Sequence, residues 1–271
     1  MAVLRTVLTM IVLVVLTVVF AAILVLASLL RIPNRAGGVY DALPRIWSRS
    51  ILRAAGVSVR VHGLENLKRD EAFIFLCNHV SLFDILALVA WLPRNNFIAK
   101  AELFKIPVFG PGIRVLGTVP IERTNQKSAF SSYETAATRI RGGSSVVVFP
   151  EGTRGRAYPI RPFKKGPFVL AIKAEAPIVP VVVYGTIEIL PKGAWVIHPG
   201  VIDVYVLERV PTAGMTYDDR DRLAQDVQDR MQDRMQDRMQ DRMQDRMQDR
   251  MQNRMQNRMQ DVMTGLTSTD R

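Results

Sequence analysis

The segment Asn78-His79-Val80-Ser81-Leu82-Phe83-Asp84 places an imidazole and a carboxylate five residues apart, directly after an apolar run that ends at Cys77. An imidazole with one ring nitrogen held by a carboxylate offers the other as a general base near neutral pH. On one continuous helix, residues five apart differ by about 140°, and the pair would not face each other. A helix that begins with Ser81 as its N-cap removes this difficulty. Asp84 is then the third helical residue, His79 lies in the preceding turn, and the carboxylate can fold back to the imidazole. The same residues also fit a plainer arrangement, in which Asp84 complements the helix N-terminus, Ser81 caps it, and His79 is an ordinary turn residue.

A second segment, Phe149-Pro150-Glu151-Gly152-Thr153-Arg154-Gly155-Arg156, follows another apolar run. Its small residues let backbone N–H groups approach an anion, and its arginines offer planar bidentate contacts to phosphate. The bland alternative is a solvated basic loop. Cys77 is the sole cysteine, which excludes a disulfide within the chain, and the alternation Phe73, Phe75, Cys77 marks it as an apolar strand position rather than a nucleophile. The three histidines, His62, His79 and His198, have no metal-ligand spacing, so neither a metal nor another cofactor is expected.

Strands and helices alternate around these segments. Strands are expected at Val57–Val61, Glu71–Cys77, Asn96–Ala99, Thr118–Ile121, Ser145–Phe149 and Ile178–Tyr184, with a final hairpin from Trp195–Ile197 and Val201–Leu207. Helices are expected at Leu82–Trp91, Ser128–Arg141 and Gly166–Glu175. That order predicts an α/β domain, with a central mixed sheet flanked by helices and functional loops at strand ends. Val39–Ala55 reads as a basic amphipathic helix, suited either to an anionic membrane surface or to packing on the domain.

The two ends differ from this middle. Thr6–Leu30 is a run of 25 residues without a charge, long enough at about 1.5 Å per residue to cross a hydrocarbon core of roughly 30 Å. It exceeds the apolar region of a cleaved signal peptide, so an uncleaved single-pass anchor is expected. Arg31, Arg35, Arg45 and Arg49 after the span outweigh Arg5 and the amino terminus before it, which places the rest of the chain on the cytoplasmic side of an inner or plasma membrane. From Gln228 to Gln260 the unit Gln-Asp-Arg-Met repeats, with Asn253 and Asn257 in place of Asp. A long helix is plausible from its composition. A four-residue period advances each Met by about 40° round that helix, so the tail is expected to face solvent and to be dispensable for chemistry. The organisation is thus an anchor over residues 1–35, a domain over 36–215 and a polar repeat tail over 216–271.

The net charge of +11 is concentrated: between Arg94 and Lys173, 14 Lys and Arg stand against four Glu. Such a surface implies an anionic partner. Nucleic acid explains the charge but not the apolar span, and no recognised nucleic-acid motif is present.

Taken together, the motifs resemble those of a known family. Asn-His-x-Ser-x-x-Asp at 78–84, Ile121-Glu122-Arg123, Phe-Pro-Glu-Gly-Thr-Arg at 149–154 and Pro177-Ile178-Val179-Pro180-Val181 stand in the order found in the glycerolipid acyltransferases, and the stretch from Val57 to Thr212 looks like the bacterial-type 1-acyl-glycerol-3-phosphate enzymes. The resemblance implies that residues 36–215 are an acyltransferase domain. It would move an acyl group from acyl-CoA or acyl carrier protein to the sn-2 hydroxyl of lysophosphatidic acid, at an anionic membrane surface. By the same resemblance His79 is the general base and Asp84 its partner. Arg123, Glu151, Gly152, Thr153 and Arg154 shape the acceptor phosphate site, Lys100 assists, and the Pro177–Val181 segment belongs to the acyl-binding region. Glu122 departs from the family, where an apolar residue or Asp is common. A lysophospholipid or lyso-ornithine lipid is the alternative acceptor within this class.

Overall fold

The computed structural model describes residues 1–35, 37–68, 71–93, 95–122 and 126–268. Its strands are β1 (Val57–His62), β2 (Ile74–Cys77), β3 (Asn95–Lys100), β4 (Val119–Ile121), β5 (Ser145–Val148), β6 (Ile178–Tyr184) and β7 (Gly200–Val206). They form one sheet in the order β1-β7-β6-β2-β5-β3-β4, parallel throughout except where β6 meets β7. The helices are α1 (Ala2–Leu29), α2 (Val39–Ala54), α3 (Phe83–Trp91), α4 (Phe109–Val115), α5 (Gln126–Arg141), α6 (Gly166–Ala174), α7 (Thr186–Ile189) and α8 (Arg220–Ser268).

The period-two alternation of side chains along a strand divides the core into two layers. Ile74, Leu76, Val146, Val148, Ile178 and Val182 face a layer shared with Ala136 and Ile140 of α5, Phe168 and Leu170 of α6, and Leu223 and Val227 of α8. Phe75, Cys77, Val147, Val179, Val181 and Val183 face the opposite layer, with Ile51 and Leu52 of α2 and Phe83 and Leu88 of α3. Strands β2, β5 and β6 are fully buried because both of their faces are covered.

Helix α1 docks on the domain along its length. Thr6 Oγ1 accepts the Ile197 N–H at 2.9 Å, and Trp47 Nε1 donates to Thr17 Oγ1 at 3.0 Å. Near its far end Ala21 lies against Gly112 of α4, where an added Cβ would approach the Ala21 methyl to 2.9 Å. The opposite side of α1 exposes Leu4, Leu8, Ile11, Val15 and Val18.

Two expectations need correction. No strand forms at Trp195–Ile197; this is loop, and β7 instead pairs antiparallel with β6 and parallel with β1. Trp195 is exposed, so the segment lacks the two-sided burial that would hold a short edge strand. The tail does not simply face solvent: Met231 and Met235 are completely buried in the α5/α6 layer, and Arg238 is buried against β7. The 40° drift per repeat limits burial to the first copies, and Met243, Met247, Met251 and Met255 are exposed.

Candidate active site

Strands β2, β5 and β6 lie side by side and parallel, so the loops leaving their C-terminal ends open onto the same edge of the sheet. The loop after β2 carries His79 and leads into Asp84 in the first turn of α3, the loop after β5 carries Glu151, and Thr186 opens α7 just after β6.

Asp84 is completely buried and its carboxylate is fully engaged. Its Oδ2 lies 2.8 Å from His79 Nδ1 and accepts the N–H groups of Val80 and Ser81, each at 2.8 Å. Its Oδ1 accepts the Thr186 hydroxyl at 2.5 Å. One carboxylate oxygen thus both organises the turn and holds the imidazole, with Leu82 rather than Ser81 as the N-cap and Asp84 as the second rather than the third helical residue. Helix α3 starts two residues after Ser81, whose Oγ accepts the Phe83 N–H at 3.2 Å, so Ser81 still ties down the helix start. The His79 ring stacks on Phe149, with centroids 3.9 Å apart. With Nδ1 directed at Asp84, Nε2 is the nitrogen able to exchange a proton with a ligand.

The backbone of His79 is held as tightly as its ring. Glu151 Oε1 accepts the His79 N–H at 2.8 Å, and the His79 carbonyl accepts the Gly155 N–H at 2.7 Å. Glu151 Oε2 receives Arg161 Nε at 2.9 Å, and Arg161 also donates to the Thr153 carbonyl. Asn78 bridges β2 to β6, donating to the Val183 carbonyl at 2.9 Å and accepting the Val183 N–H at 2.7 Å.

Two cavities meet at Phe149 and Ile98. The first, about 380 Å³, is an apolar groove lined by Phe20 and Leu24 of α1, Trp47 of α2 and Ile113 of α4, with His79, Lys100 and Arg154 at its polar end. The second, about 630 Å³, lies between α5 and α6 and includes Gly152, Lys164 and Tyr133. Gly152 adopts φ +78°, a left-handed conformation that glycine takes without a steric penalty. The Arg154 guanidinium has no carboxylate partner among the described residues. Lys100, by contrast, pairs with Glu102 at 3.0 Å, and that contact holds the Glu102 carboxyl below its usual range. Arg123 lies outside the described residues.

Of the residues singled out in the sequence, His79, Asp84, Arg154 and Lys100 thus come together around the groove. Glu151 sits behind His79 with both oxygens engaged, so it acts on the site through the loop it holds. Thr153 is exposed and contributes its carbonyl. Arg161, Thr186 and the Phe149 ring were not singled out as contacts to the pair. Thr186 stands 102 residues from Asp84, and only strand order brings them together. Cys77 is fully buried, and burial, followed by the charge of Asp84, pushes its thiol well above the ordinary range.

The acyltransferase family model matches residues 58–184, the stretch from β1 to β6 that carries His79, Asp84 and Glu151. Over 160 residues, 58% of this chain, the sequence is 36% identical to a chloroplastic 1-acyl-sn-glycerol-3-phosphate acyltransferase of Brassica napus. It is 35% identical over 178 residues, 65% of this chain, to the human 1-acyl-sn-glycerol-3-phosphate acyltransferase alpha. Over the matched stretch the chain resembles the glycerolipid acyltransferases. Its matches span 46% of the Brassica relative and 63% of the human one. The crystal structure of the 1-acyl-sn-glycerophosphate acyltransferase from Thermotoga maritima has a similar fold, with a TM-score of 0.75 at 26% identity, covering 87% of this chain and 95% of that one.

Proposed function

We propose that the protein transfers a fatty acyl group from a thioester, acyl-CoA or acyl carrier protein, to the sn-2 hydroxyl of lysophosphatidic acid, forming phosphatidic acid. The observation that carries this reading is the juncture of a carboxylate-held imidazole, an apolar groove and an arginine with no carboxylate partner among the described residues, all within one site. His79 Nε2 takes the hydroxyl proton as the oxygen attacks the thioester carbonyl. Asp84 stabilises the imidazolium, which returns the proton to the departing thiolate. The C–O bond forms, the C–S bond breaks, and a free thiol leaves. A thioester is already activated, so direct transfer suffices.

The two cavities divide the substrates. The groove borders α1, so it takes the lysolipid chain from the bilayer, and Arg154, with Arg123 by resemblance, holds the phosphate at its polar end. The cavity between α5 and α6, whose lining includes no α1 residue, receives the acyl donor from solution.

Helix α1 is long and apolar enough to cross a membrane. Its docking from Thr6 to Ala21 would draw the Arg-bearing α2 into the hydrocarbon if it crossed upright, at high cost for Arg45, Arg49 and Arg53. The anchor is therefore read as embedding its exposed Leu4–Val18 stripe in one leaflet, with the domain on the cytoplasmic face. Equal acylation of lysophosphatidic acid and neutral monoacylglycerol, offered in parallel, would refute a phosphate-directed acceptor site.

A further inference from the structure

The repeat helix reaches the active site through a chain of hydrogen bonds. Gln228 and Gln232 open the first two Gln-Asp-Arg-Met copies and lie one turn apart on α8. Gln228 Oε1 accepts the Phe163 N–H at 3.2 Å, and Gln232 Oε1 accepts the Ile160 N–H at 3.0 Å. Between these two anchored amides sits Arg161, the residue that grips Glu151 and the Thr153 carbonyl. Glu151 in turn grips the His79 amide. The same stretch of α8 is fixed to the fold by buried Met231 and Met235, and by Arg238, whose Nε and NH2 lie 3.1 and 2.9 Å from Asp203 Oδ2. Burial alone would lower the Arg238 pKa, but the hydrogen bond and charge of Asp203 raise it, so this clamp stays charged.

We propose that the first two repeats position His79 for catalysis: Gln228 and Gln232 hold residues 160–163, Arg161 holds Glu151, and Glu151 holds the His79 backbone. Naming His79 the base rests on the acyl-transfer reading; the relay itself rests on geometry. The copies from Gln240 onward contribute nothing to it: Met243, Met247, Met251 and Met255 are exposed. Both glutamines act as acceptors in these contacts. Glutamate preserves that function, whereas methionine keeps similar bulk without it.

The test uses the full-length protein in detergent micelles. Gln228→Met/Gln232→Met should lower kcat by about 10- to 100-fold, the scale of a small misplacement of reacting groups, with both KM values little changed. Gln228→Glu/Gln232→Glu should restore it. Arg161→Met should lower kcat similarly, and combining it with the Met pair should add little, because the three residues act in one line. Amide hydrogen exchange at residues 78–82 should rise in the Met pair and return to normal in the Glu pair. If the Met pair does not fold, Gln232→Met alone carries the same expectation. Multiplicative kcat losses, or unchanged exchange at 78–82 while 158–163 loosens, overturn the relay. Exchange does not depend on the reaction catalysed, so an inactive wild-type protein would count against the acyl-transfer reading and leave the relay to be decided by exchange.

Discussion

His79 and Asp84 meet through Nδ1 and Oδ2 at 2.8 Å although a continuous helix would hold them about 140° apart. The break at Ser81–Leu82 makes this possible, and the two backbone N–H groups bound to the same oxygen keep the turn closed. Asp84→Asn should retain much of the turn while no longer enforcing the tautomer that leaves Nε2 free. A loss in kcat of about 10³- to 10⁴-fold is expected, with little change in either KM. Steady-state kinetics on a variant with wild-type thermal stability checks this, and an unchanged kcat would remove Asp84 from the mechanism.

The neighbouring thiol takes no part. Cys77 packs in the apolar layer beneath the site, and burial raises its pKa, so the thiolate is absent at neutral pH and forms only as pH rises well beyond the usual thiol range. Cys77→Ala should keep kcat near wild type, and iodoacetamide at pH 7.5 should leave the folded protein unmodified while labelling it in denaturant. A dead but folded Cys77→Ala variant, or an acyl group trapped on the thiol, would replace direct transfer with a covalent route.

The groove arginine separates a phosphorylated acceptor from other lysolipids. Charge-assisted contacts to phosphate contribute roughly 1.5–3 kcal/mol. Arg154→Ala should therefore raise the KM for lysophosphatidic acid about tenfold or more, with the donor KM moving much less. Lysine should restore it only in part, because the fork geometry is lost. Unaltered lysophosphatidic acid kinetics would exclude Arg154 from phosphate binding.

Much of this architecture was legible because it depends on local pattern. Apolar runs bounded by Gly and Pro marked β2, β5 and β6, and the break at Ser81 was needed to bring His79 and Asp84 together. What pattern does not carry is register between distant strands. Thr186 joins Asp84, and Glu151 joins His79, only because β5 and β6 flank β2. The repeat misled for a related reason. Its uniform period makes Met231 and Met247 look equivalent, yet one is buried and the other exposed, because the domain meets the helix over only its first turns. Helix α4 was not legible because its seven residues include two glycines and a proline, Gly112 serving close approach to Ala21 of α1 and Gly110 to the Phe104 backbone rather than helix propensity.

The central claim is that His79 draws the proton from the sn-2 hydroxyl of lysophosphatidic acid during direct transfer from a thioester. It is tested most directly by giving purified protein lysophosphatidic acid and radiolabelled acyl-CoA or acyl carrier protein, then measuring labelled phosphatidic acid. The wild type should form it with at least one donor, and a folded His79→Ala variant should do so about 10²- to 10⁴-fold more slowly at similar acceptor KM. No labelled phosphatidic acid from the wild type with either donor, or near-normal turnover by His79→Ala, would contradict the account.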